Sequence, residues 1–183
     1  MRRVGDLAVI ALAAIVALPL ALLIAVLLRR TTGGRVLQRQ TRTGRHGREF
    51  QILRFRTDGD DRLAVLLRRT GLDELPRLWN VARGEMGVIG PRPAGPEQVG
   101  RYSRRERGRL AVRPGLTGWA QLHALSRSRT PRPLSRPEWA ELDLWYVEHR
   151  SLGLDLHILG LTVLALLRPD TDRALRVGPE PPR

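Results

Sequence analysis

Cysteine and lysine are both absent from this 183-residue chain. Without cysteine there is no disulfide scaffold and no thiolate metal site, although the absence does not decide the compartment. Without lysine, the net charge of +14 is carried by arginine alone, and so large an excess calls for an anionic partner. Aromatic residues are only 4% of the chain and show no stacking pattern for single strands, so nucleic acid is not the expected partner. Anionic lipid and a phosphorylated substrate remain. The four histidines, His46, His123, His149 and His157, have no ligand spacing and read as structural or surface residues. There is no internal repeat, and the length suits one domain with room for an appendage.

What the chain does have is a long apolar run. Leu7 to Leu28 contains no charged residue over 22 positions, about 33 Å as a straight helix and close to the hydrocarbon thickness of a bilayer. A secretory signal is disfavoured, because the run is long and Arg29-Arg30 stands where small residues would mark cleavage. A single span and a re-entrant hairpin both fit. Pro19 removes an amide donor and favours a break, and arginines at both ends (Arg2, Arg3, Arg29, Arg30) suit two ends on one membrane face. A proline inside a span is tolerated, so both readings stay open on these residues.

The second feature is an Asp-Glu pair in Gly71-Leu72-Asp73-Glu74-Leu75-Pro76, with arginines on both sides. Adjacent carboxylates can hold a divalent cation or divide the work of nucleophile and acid/base, and guanidiniums nearby can clamp phosphate. The plainer account is acidic decoration of a helix N-terminus, since Leu72, Leu75, Leu78 and Val81 have helical spacing over Leu72–Val81. Elsewhere, Val36–Gly47 reads as an arginine- and glutamine-rich stretch ending in glycine turns, and Phe50–Phe55 as a short strand. Arg62–Arg69, Glu97–Leu110, Glu138–Glu148 and Leu152–Leu167 read as helices, the second a solvated, arginine-rich face and the last buried or interfacial. Gly84–Pro96 is a rigid loop that fixes Arg92 between two prolines. Ser126–Pro137 reads as a mobile loop, and the proline-rich tail as frayed.

Several stretches recur in one order: Gln40-Thr41-Arg42-Thr43-Gly44, Phe50 through Arg54-Phe55-Arg56-Thr57, Arg68 with Leu72-Asp73-Glu74-Leu75-Pro76, Asn80 with Gly90-Pro91-Arg92-Pro93, Val112-Arg113-Pro114-Gly115 on to Gln121, and Leu142-Asp143 with Tyr146-Val147. Together they resemble the bacterial sugar transferase family, the monotopic polyprenyl-phosphate phosphoglycosyl transferases, over roughly Arg3 to Leu167. The resemblance implies a mostly α fold with a few short β-strands. It implies a re-entrant, proline-broken membrane helix over 1–30, a small cytoplasmic α/β catalytic domain with interfacial amphipathic helices over 31–170, and a flexible tail over 171–183. It implies transfer of a sugar 1-phosphate from a nucleotide diphosphate sugar to polyprenyl phosphate at the inner membrane, starting exopolysaccharide or glycoconjugate assembly. Asp73 would be the nucleophile, passing through a covalent aspartyl-phosphosugar intermediate. Magnesium would sit at Asp73 and Glu74. Arg42, Arg56, Arg68, Arg92 and Arg113 would bind substrate phosphates, and Pro19 would break the anchor. Membrane lipids and a second copy of the chain are the further partners implied.

The chain departs from the family pattern in places. The segment between Thr57 and Arg68 is short, implying a narrower donor pocket or a lost supporting strand. Asp58 stands where methionine is common, Leu18 where serine is, Glu85 where aspartate is, and His123 where asparagine is. A non-catalytic or degenerate relative, acting as a basic membrane-surface binding protein, is the competing expectation.

Overall fold

A computed structural model describes residues 2–126 and 134–167. The expected tail and most of the expected Ser126–Pro137 loop lie outside these residues. The described chain is mostly helical with four short strands, as expected. It divides into two compact units, one made of Met1–Arg42 with Glu49–Met86, the other of Thr43–Arg48 with the chain from Gly87 onward.

The first unit opens with α1, Arg2–Thr32. It is long and apolar enough to cross a membrane. Pro19 lies inside the helix without ending it. Its most buried residues, Ile10, Ala17, Ile24 and Leu28, follow one stripe, while Leu12, Ile15, Val16, Leu18 and Leu22 are exposed; an outward apolar surface of this kind suits lipid. Near its end α1 packs into the core of the unit, where Ile24 and Leu28 meet Phe55 and Leu67, with Leu63, Leu72 and Leu75 around them. At its start the Arg3 guanidinium donates to the Val81 and Ala82 carbonyls, each at 2.5 Å.

Strands β1 (Leu37–Thr43) and β2 (Glu49–Phe55) pair in a two-stranded ribbon. β1 was not legible as a strand, because its arginines and glutamines hide the alternation. α2 (Arg62–Thr70) follows and ends at Gly71, whose φ of 70° is left-handed, a conformation glycine adopts at no steric cost. The expected single helix over Leu72–Val81 is instead a 3-10 turn, Leu72–Glu74, and a separate α3, Arg77–Arg83. Pro76 sits at the N-cap of α3; lacking an N–H it cannot continue the hydrogen bonding of a preceding turn.

The second unit contains the parallel pair β3 (Gly87–Ile89) and β4 (Gly115–Thr117), in register Gly87 to Gly115 and Ile89 to Thr117. The expected helix over Glu97–Leu110 is a short α4, Pro96–Gly100, and a 3-10 segment, Glu106–Ala111. Ser103 interrupts it: its N–H donates to Glu106 Oε2 at 2.7 Å, while its hydroxyl accepts from the Glu106 N–H at 3.2 Å. Helices α5 (Trp119–Ser126), α6 (Arg136–His149) and α7 (Leu152–Leu167) complete the unit. Trp119, Leu122, Leu142, Tyr146 and Ile158 form its core.

Candidate active site

The dyad lies where α2 has ended and α3 has not begun. Leu72 and Leu75 are drawn into the first unit's core, and this turns the intervening Asp73 inward, leaving it 3% exposed. A carboxylate at that depth needs a partner. It has one in Arg54, next to last in β2, whose Nη2 donates to Asp73 Oδ2. The Nε of Arg54 is buried and has no hydrogen-bond partner among the described residues. Glu74, one residue on, is about a third exposed, and its Oε1 lies 2.8 Å from Nη2 of the buried Arg77 in the first turn of α3. Each acid thus faces its own guanidinium, one from the ribbon and one from the helix.

Burial sets Asp73, though not the partly exposed Glu74, apart from the helix-end reading. An acid that merely decorates a helix end stays solvated, whereas Asp73 is enclosed and ion-paired. Arg77 is among the arginines that flank the dyad in sequence, but neither it nor Arg54 was matched there to a particular acid. The position of Arg54 at the end of a strand between Leu53 and Phe55 was the available signal, but the pairing spans 19 residues.

The other singled-out arginines are placed differently. Arg68 donates to the Thr57 carbonyl and to the Gly59 carbonyl at 3.0 Å, with Asp60 at 3.7 Å; it braces the short acidic loop after β2. Arg56 pairs at the surface with Asp58. Arg42 donates to Gln40 Oε1. Arg92 and Arg113 belong to the second unit and are exposed, each between buried neighbours. The loops that carry them are tied by backbone: Gly90 N–H donates to the Thr117 carbonyl at 2.9 Å and Gly115 N–H to the Pro91 carbonyl at 3.0 Å. A Cβ at Gly90 would stand 2.4 Å from the Arg113 carbonyl oxygen, so only glycine allows this approach. Arg92 lines a cleft with Tyr102, Arg109 and Pro114.

That cleft has a charged floor which the expected solvated face did not foresee. Arg109 is buried, donating to the Asp143 carboxylate and to the Tyr102 hydroxyl, the latter at 2.8 Å. Asp143 is 1% exposed, and burial pushes its carboxyl up to about 6 against the opposing pull of Arg109. Burial likewise raises the Tyr102 phenol. The histidines are structural or superficial: buried His123 meets the Trp119 ring edge-on, and His149 stacks on Trp145 at the surface.

Among the described residues no group of three histidines or acids lies close enough to hold a metal alone. Asp73 and Glu74 supply two carboxylates, a donor set that fits magnesium, which uses one or two carboxylates and fills its shell with water and substrate phosphate.

An enclosed aspartate and a partly exposed glutamate beside it, each paired with an arginine, in a unit built around a helix of membrane-crossing length, suit a membrane-associated protein that handles anionic substrates. The family is then plain: the sequence model of the bacterial sugar transferases matches residues 1–169, and the chain belongs to that family. It is 38% identical to a protein of Caulobacter vibrioides named UDP-glucose:undecaprenyl-phosphate glucose-1-phosphate transferase, over 92% of this chain and 70% of that one. It is 36% identical to the uncharacterized sugar transferase EpsL of Bacillus subtilis, over 76% and 73%. A Xanthomonas campestris protein with the same transferase name is 37% identical over 84% of this chain, but the match spans only 36% of that longer protein.

Proposed function

We propose that this protein is a membrane phosphoglycosyl transferase. It moves a sugar 1-phosphate from a nucleotide diphosphate sugar to polyprenyl phosphate. The observation that carries the reading is the enclosed Asp73, held by Arg54 with Glu74 and Arg77 beside it. In the first step an Asp73 carboxylate oxygen attacks the sugar-bearing phosphorus. The bond from that phosphorus to the bridging oxygen breaks, and nucleoside monophosphate leaves. In the second, a phosphate oxygen of polyprenyl phosphate attacks the same phosphorus and Asp73 is released as carboxylate. Both half-reactions use one site in turn, which suits a soluble donor and a lipid acceptor.

Within this scheme Arg54 fixes the nucleophile. Arg77 holds Glu74 at the edge of the site. Asp73 and Glu74 would hold magnesium, which would neutralise diphosphate charge so that a carboxylate can approach. Arg92 and Arg113, exposed on their glycine-tied loops, are further phosphate-binding candidates; Arg42, Arg56 and Arg68 are weaker ones, having local partners already.

The same reading makes α1 a re-entrant anchor that keeps the catalytic part at the cytoplasmic face of the inner membrane. In its favour, both ends of α1 engage one small unit. Arg3 binds the last turn of α3, while Leu28 shares a cluster with Leu75 just before α3. A straight helix would separate Arg3 and Leu28 by about 38 Å, whereas α3 is only about 10 Å long. The exposed Leu152, Leu156 and Val163 of α7 suit a helix lying at the interface. A relative from Rhizobium leguminosarum named exopolysaccharide production protein PSS, 33% identical over 91% of this chain, supports a place in exopolysaccharide assembly.

The test is a panel of nucleotide diphosphate sugars, led by UDP-glucose, incubated with membranes holding the protein and magnesium. Release of nucleoside monophosphate from at least one donor, lost in Asp73→Asn, is the expected result. No release from any donor, or equal release from parent and Asp73→Asn, contradicts the proposal.

A further inference from the structure

Asn80 is 1% exposed, and its side-chain amide is engaged at both ends. Oδ1 accepts the Leu53 N–H at 3.1 Å. Nδ2 donates to the Gln51 carbonyl at 2.7 Å and to Glu85 Oε2 at 2.7 Å. The orientation follows from the partners: the Leu53 N–H can only donate, and the Gln51 carbonyl and Glu85 carboxylate can only accept. Its main chain contributes too, its carbonyl accepting the Glu85 N–H at 3.0 Å.

The geometry of the ribbon gives this meaning. The Arg56 N–H donates to the Val36 carbonyl, so the even-numbered residues of β2 address β1. Backbone groups of Gln51 and Leu53 therefore point to the opposite edge of β2, where a strand would otherwise present unpaired donors and acceptors. The Asn80 amide fills this edge like one rung of a third strand. The next residue after the rung is Arg54, which grips Asp73. On α3, Asn80 lies one turn from Arg77, which grips Glu74, and residues three apart share a helix face. One face of α3 thus ties down the strand that carries Arg54 and one acid of the dyad.

We infer that Asn80 is a positioning residue: its amide, oriented by Glu85, sets the distance between β2 and the dyad and so holds the Arg54–Asp73 pair in reacting geometry. The inference rests on Asp73 being the nucleophile. Errors of about 1 Å in such placement cost about 100-fold in rate, whereas loss of an ordinary core contact lowers the amount of folded protein and leaves the turnover of what is folded.

The test compares Asn80→Ala, Asn80→Asp, Glu85→Leu and Glu85→Gln with Val81→Ala, a change at a fully buried neighbour whose side chain has no hydrogen-bonding group to give the rung or the dyad. Nucleoside monophosphate release from the active donor is measured per folded protein, with thermal unfolding alongside. Asn80→Ala is expected to lower kcat by about 30- to 100-fold with KM for the donor within about threefold. Asn80→Asp should be no better, because it sets a carboxylate against the Gln51 carbonyl and Glu85. Val81→Ala should lower the unfolding temperature and keep kcat within about threefold. Should Asn80→Ala not be recovered folded, the Glu85 pair decides: Glu85→Leu loses kcat, and Glu85→Gln, which can still accept from Nδ2, restores most of it. Asn80→Ala tracking Val81→Ala, or Glu85→Leu matching the parent, overturns the inference while leaving the function standing. A fully active Asp73→Asn overturns the function itself.

Discussion

At the scale of single residues, the proposed chemistry turns on which guanidinium meets which carboxylate. Arg54 is the one whose removal leaves Asp73 enclosed and unpaired. Arg54→Ala is expected to lower donor turnover by about 100-fold or more, and Arg54→Lys, which keeps the charge but not the planar fork, to recover part of it. Arg105→Ala, whose side chain pairs at the surface with Glu141, should change turnover by less than about threefold. An Arg54→Ala enzyme as active as Arg105→Ala would remove Arg54 from the site. The Arg109–Asp143 pair makes a different prediction. In the folded chain burial pushes the Asp143 carboxyl up to about 6, above the usual value of about 4 in an unfolded chain. The folded state therefore holds a proton that the unfolded state has lost, and the group favours folding in acid. That contribution is complete below about pH 4 and disappears as pH rises through about 6. Asp143→Asn should flatten the fall in stability between those limits, read by thermal unfolding; an unchanged slope would show that Asp143 is not its source.

At the scale of elements, much was legible because it is local. The helices over Arg62–Thr70, Arg136–His149 and Leu152–Leu167 follow from apolar spacing that a single segment reveals. The 3-10 turn at the dyad was not legible, because Leu72, Leu75 and Leu78 keep helical spacing across the interruption at Pro76. β1 was hidden by its polar composition, and the Arg54–Asp73 and Asn80–β2 contacts are long-range, set by packing that no window of sequence contains. Pro19 was read as a break, yet it lies inside α1 without ending the helix, and its effect is open to direct measurement. The chain lacks cysteine, so Gly5→Cys and Gly33→Cys can be labelled singly in membranes. A re-entrant α1 predicts that both react from the cytoplasmic side, and that adding Pro19→Ala moves Gly5→Cys toward the opposite side by favouring a straight helix. Labelling of the two positions from opposite sides in the parent would show a span.

At the scale of the whole molecule, the proposed reaction would have the arginine excess, the apolar helix and the dyad act together to bring a soluble diphosphate and a lipid phosphate to the same carboxylate. A net charge of +14 also predicts that association with anionic membranes tightens as salt is lowered, while α1 keeps the protein membrane-bound at high salt. Covalent catalysis by Asp73 is probed most directly by the mass of the intact protein after incubation with the active donor and magnesium, without polyprenyl phosphate. The parent is expected to gain one sugar phosphate on Asp73, polyprenyl phosphate to discharge it, and Asp73→Asn to gain nothing. A parent that turns over donor while never carrying the phosphosugar, or an Asp73→Asn protein that carries it equally, would rule out Asp73 as the nucleophile.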